Sequence, residues 1–92
     1  MNSILQTEKK CYISGRDYAL QKHHIFRGKN RKLSEQYGFW VWLNVEYHTG
    51  QMGIHLSTRY EILSELQEKC QEKFEETHTR DEFMDIIGKN YL

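Results

Sequence analysis

Proline is missing from the chain altogether, and no stretch is repeated or of low complexity. Helix ends must therefore be set by glycine and by capping side chains. Nowhere do apolar residues run for the ~18 positions that a membrane-spanning helix needs. From Met1 to Lys10, Ile4-Leu5 is the one apolar pair, too short for a signal peptide. Cysteine is limited to Cys11 and Cys70, far apart in sequence, so a disulfide framework is possible but not indicated. Net charge is missing too: 13 basic residues balance 13 acidic ones, which argues against generic polyanion binding. A cytosolic protein with no membrane partner is the simplest expectation.

What is present fits one domain of 92 residues. A chain this short buries only about 60–65% of the surface its unfolded form exposes, so a metal, disulfide or partner often serves as a staple. The neutral total hides an asymmetry. Up to Gly50 eight Lys or Arg face four acids, and beyond it five face nine. The densest basic run is Arg27-Gly28-Lys29-Asn30-Arg31-Lys32. Alone it reads as a solvated helix start; beside a phosphate-cleaving site it reads as phosphate contact.

Cys11-Tyr12-Ile13-Ser14-Gly15 reads as a short turn or knuckle. Residues 22–26, ending in Ile25 and Phe26, and residues 39–44, opening Phe39-Trp40-Val41-Trp42-Leu43, predict two strands. The second is apolar on both faces, which predicts cover from a neighbouring strand and from helices on either side. Between them Asn30 can cap a helix over 31–37 that Gly38 stops. Thr58-Arg59-Tyr60-Glu61 and Thr79-Arg80-Asp81-Glu82 both fit capping boxes. Leu63, Leu66, Cys70 and Phe74 fall on one face of the first helix, so Cys70 is expected to be a buried, inert thiol. Phe83, Ile86 and Ile87 line the second helix, which Gly88 closes.

Four of the five histidines lie between His23 and His55; His78 stands alone and is expected to be exposed. Adjacent residues of a strand point to opposite faces, so His23 and His24 cannot play the same part. One imidazole can take a metal while the other takes a proton from water. His48 and His55 in one straight helix would lie about 10.5 Å apart along its axis, too far for one ion. Gly50 and Gly53 between them permit a tight bend that brings the rings together.

These features resemble the HNH endonuclease superfamily, whose ββα-metal fold carries a one-metal nuclease site. The likeness is to its short phage-encoded members. It runs through Cys11-Tyr12-Ile13-Ser14-Gly15-Arg16, Lys22-His23-His24-Ile25-Phe26, Asn30-Arg31-Lys32-Leu33-Ser34-Glu35, Tyr37-Gly38, Glu46-Tyr47-His48 and Gly53-Ile54-His55. The closing Ile87-Gly88-Lys89-Asn90-Tyr91-Leu92 also looks like the end of such phage proteins.

The resemblance implies an α+β fold: an antiparallel hairpin of about residues 22–26 and 39–44, a helix after His48, a histidine–metal core over about 11–57 and a helical cover over about 58–92. It implies a DNA endonuclease in the host-cell cytoplasm. His23, His48 and His55 would bind one divalent ion (Mg, Mn, Ni or Zn). His24 would be the general base, a role suited to a side chain that titrates around neutrality. Arg16, Arg27, Lys29, Arg31 and Lys32 are the expected DNA contacts.

Two departures stand out. The positions that hold a structural zinc in many relatives read Cys11, Ser14, Asn44 and Tyr47, one ligand of four, so no structural zinc is expected and packing that includes Trp40 and Trp42 should hold the core. The asparagine of the motif would fall near Phe39, with Asn30 and Asn44 both out of register. These losses leave a second reading open: an inactive HNH-like phage protein that binds a phage or host protein as an inhibitor or accessory factor.

Overall fold

The computed structural model of the chain describes residues 1–45 and 56–92. Strand β1 (Leu20–His24) leads through a 3-10 turn (Gly28–Asn30) into helix α1 (Arg31–Tyr37), and strand β2 (Trp40–Asn44) returns antiparallel to β1. Helices α2 (Leu56–Phe74) and α3 (Arg80–Ile87) follow. Among the described residues the architecture is thus a small α+β fold, a two-stranded antiparallel sheet with three helices. The expected helix after His48 lies outside the described residues. No described helix is long and apolar enough to cross a membrane.

Strand β1 begins and ends two residues earlier than expected. Ile25 still donates its N–H to the Phe39 carbonyl (2.9 Å), but Phe26 has left the ladder. Its N–H and carbonyl are taken by the Ser34 hydroxyl at 3.2 and 2.9 Å, which lets the chain turn while burying the Phe26 ring. Asn30 does not cap α1 with its side chain; its amide reaches across to the Ile87 carbonyl (3.0 Å) at the end of α3. Gly38 does stop α1 in the left-handed region (φ 75°).

Directly paired residues share a sheet face. Register places Gln21 with Leu43 and His23 with Val41 on one face, and Lys22 with Trp42 and His24 with Trp40 on the other. The first face meets the core: Phe39, Val41 and Leu43 pack with Cys11, Ile25, Phe26, Leu66, Cys70, Phe74, Phe83 and Ile87. Phe39 is its hub, fully buried and edge-on to Phe26 (5.7 Å) and Phe74 (5.6 Å). Trp40 is buried as expected, but it and the half-buried Trp42 lie outside that cluster. They pack edge-to-face on each other (5.4 Å) on the opposite face, because strand alternation sends them there. The N-terminal segment covers the tryptophans on that face, and Glu35 of α1 meets Lys22 and His24 on its β1 side. The Met1 carbonyl accepts from the Trp40 indole (3.2 Å), the Gln6 amide oxygen accepts from the Trp42 N–H (2.9 Å), and Lys9 stands over the Trp42 ring (4.8 Å).

The described part of helix α2 runs from Leu56, so Thr58 lies inside it and is not its N-cap. Nothing in Leu56-Ser57 breaks a helix, and hydrogen bonding propagates back past the capping signal. The apolar face is as expected: Leu66, Cys70 and Phe74 are buried and Leu63 half-buried. Burial pushes the Cys70 thiol well up, consistent with an inert core residue. The Thr79 box is complete, with Thr79 Oγ1 accepting from Glu82 N and Glu82 Oε1 accepting from Thr79 N. His78 is exposed and stacks on Phe74 (4.2 Å). Gln71, fully buried, ties down the closing residues: its oxygen accepts from Tyr91 N (2.7 Å) and its amide donates to Asn90 (2.8 Å).

Candidate active site

The paired histidines come apart as strand alternation requires. His23 turns to the core face, 2% exposed, opposite Val41. His24 turns to the outer face opposite Trp40, with its Nε2 2.8 Å from Glu35 Oε2. A cleft of about 230 Å³ opens at this end of β1, lined by Lys22, His23, His24, Arg27 and Arg31. A second cleft of about 230 Å³ adjoins it, sharing His23 and Arg27 and bounded by Tyr60, Leu63, Ser64 and Gln67 of α2. His23 is thus enclosed by protein yet borders space on two sides.

Of the expected basic contacts, Arg27 and Arg31 line the first cleft, one before the 3-10 turn and one at the start of α1. Lys29, Lys32 and Arg16 are exposed but do not line it. His48 and His55 lie outside the described residues. Among the described residues no three histidine, cysteine or acidic side chains converge as a metal-binding group. No family model, curated protein or solved structure matches the chain.

Two partners at the cleft were not foreseen from the sequence. Glu35, on α1, joins Lys22 Nζ (2.9 Å) through one carboxylate oxygen and His24 through the other. The Lys22 hydrogen bond, then that of His24, holds its carboxyl below the usual glutamate range. Lys22 also stands 4.2 Å over the Trp40 ring. No periodicity signals the Glu35 contact, because it depends on how α1 folds back along β1.

The knuckle around Cys11 forms as expected. Gly15 N–H donates to the Cys11 carbonyl (2.9 Å) and Ser14 N–H to its sulfur (3.4 Å). Burial opposes ionisation of this thiol, but hydrogen bonds from the Asn44 backbone and from Ser14 outweigh it and set the thiol below its ordinary value. Three of the four zinc-position residues of the resemblance, Cys11, Ser14 and Asn44, are therefore neighbours. The Asn44 side chain is engaged elsewhere, donating to the Tyr18 carbonyl (3.1 Å).

Proposed function

We propose that the chain is a metal-dependent endonuclease that hydrolyses phosphodiester bonds in DNA, built on an HNH-type ββα-metal scaffold. The observation that carries this reading is the division of the histidine pair by β1, with both rings bordering a cleft that also holds Lys22, Arg27 and Arg31. Guanidinium groups match phosphate oxygens in charge and in their forked donor geometry, so Arg27 and Arg31 would hold the backbone across the cleft. His24, on the outer side of the strand, would accept the proton of the water that attacks phosphorus.

His23 fits a place in a metal site. It carries imidazole nitrogens, is enclosed by the core and lines both clefts. His48 and His55 would complete the donor set, and an all-imidazole set suits Zn or Ni better than Mg or Mn. Such an ion supplies Lewis acidity to a phosphate oxygen when bound.

Nicking of supercoiled plasmid in Mg²⁺, Mn²⁺, Ni²⁺ and Zn²⁺, one at a time, tests the reading. His24→Ala is expected to slow cleavage by ~10²–10⁴ while titration calorimetry shows unchanged metal affinity. His23→Ala should lower affinity and cleavage together. Wild-type protein that nicks nothing with any ion would sink the enzyme reading and leave that of a DNA- or protein-binding factor.

A further inference from the structure

We propose that Glu35 is the positioning residue of His24, fixing the neutral imidazole with its proton on Nε2 so that Nδ1 carries the lone pair that takes the proton of water. This rests on His24 being the base. An ionised carboxylate can only accept hydrogen bonds, so the 2.8 Å contact between Glu35 Oε2 and His24 Nε2 requires a hydrogen on Nε2. In a neutral ring the other nitrogen is then the acceptor. The carboxylate is itself held: Lys22 Nζ donates to its second oxygen (2.9 Å), and Lys22 is seated over Trp40 (4.2 Å), whose indole donates to the Met1 carbonyl. Ser34, the neighbour of Glu35 on α1, is bound to both backbone groups of Phe26, which anchors the helix beside β1. The His24 side chain is 13% exposed, so its ring sits in a defined seat rather than in open solvent.

The arrangement assigns three tasks to three residues. Lys22 orients Glu35, Glu35 orients His24, and His24 alone meets the reacting water. Glutamine in place of Glu35 keeps the size of the side chain but offers either a donor or an acceptor, so it no longer dictates which ring nitrogen is protonated. Aspartate keeps the acceptor-only chemistry on a shorter arm. Glu35 is half exposed, so both variants should still fold.

Long-range ¹H–¹⁵N spectra of the His24 ring, recorded on the metal-free protein at a pH where the ring is neutral, read the tautomer directly. Wild type should show Nε2–H, Glu35→Gln a mixture, and Glu35→Asp a partial return to Nε2–H. In plasmid nicking, Glu35→Gln should lose roughly 10–10²-fold in kcat with KM nearly unchanged, and Glu35→Asp should recover part of it. An Nδ1–H tautomer in wild type, or a Glu35→Gln protein with wild-type kcat, overturns the proposal. An Nε2–H tautomer that depends on Glu35 in a protein that nicks nothing overturns the catalytic role specifically and leaves the hydrogen bond as a structural one.

Discussion

Replacing Gly38 by alanine tests whether the N-terminal segment and the corner between α1 and β2 form one unit. Gly38 has φ 75°, which costs an alanine about 1–2 kcal/mol. A Cβ there would also collide with the backbone carbonyl of Asn2 and press on Ile4 Cγ2 at 3.3 Å. Backbone cannot yield as a flexible side chain does, so residues 1–4 would have to move. The hydrogen bonds from Ile4 N to the Gly38 carbonyl (3.0 Å) and from the Trp40 indole to the Met1 carbonyl (3.2 Å) would loosen with them. At ~1 kcal/mol for each hydrogen bond, the expected loss is roughly 2–4 kcal/mol, a large part of the stability of a domain this size. Urea unfolding followed by tryptophan fluorescence and by circular dichroism measures it. Gly38→Asn separates the two contributions. Asparagine accepts positive φ more readily than alanine but brings the same Cβ. It should therefore remain within about 1 kcal/mol of Gly38→Ala, part of the left-handed penalty being all that it relieves. An asparagine variant as stable as wild type would refute the close approach.

Three further outcomes are expected. Arg27→Ala and Arg31→Ala should each weaken binding to duplex DNA across all sequences and flatten the logarithmic salt slope by about one unit; an unchanged slope would remove these residues from the phosphate track. Thr79→Ala should cost about 0.5–2 kcal/mol in thermal unfolding through loss of the α3 cap, with DNA binding intact. The lowered pKa of Glu35 means that its stabilising pairing is present above the ordinary glutamate range and is lost as pH falls through the lowered value. The stability gap between wild type and Glu35→Gln should thus be open at neutral pH and close in acid, and a gap independent of pH would argue against the pairing.

Features that depend on neighbours in sequence were legible before the fold was known. Strand alternation alone sends His23 and His24 to opposite faces, Gly38 and Gly88 end their helices, and the Thr79 box forms. Long-range competition hid the rest. Asn30 prefers the last carbonyl of α3 to the start of its own helix, and the Thr58 signal is overridden because helix formation continues back to Leu56. Glu35 meets His24 only through the return of α1 along β1, and residues 1–10 have no periodicity to announce that they cover Trp40 and Trp42. The roles of His48 and His55 rest on sequence resemblance alone.

A two-stranded sheet has two open edges, each a template for adding a foreign strand. Residues 3–12 occupy the outer edge of β2. The carbonyls of Trp40 and Trp42 accept from the Ser3 hydroxyl and the Tyr12 N–H, and the Trp42 N–H is taken by Gln6. Among the described residues no third strand pairs with β1. That strand carries Gln21-Lys22-His23-His24, and polar or charged side chains are what keep such an edge from recruiting another chain. On the proposed reading, Lys22 and His24 would thus also guard this edge, whereas the buried His23 would not. Leucine in place of His24 would then remove the proposed base and add apolar surface to the edge, whereas alanine removes the imidazole with little added hydrophobic surface.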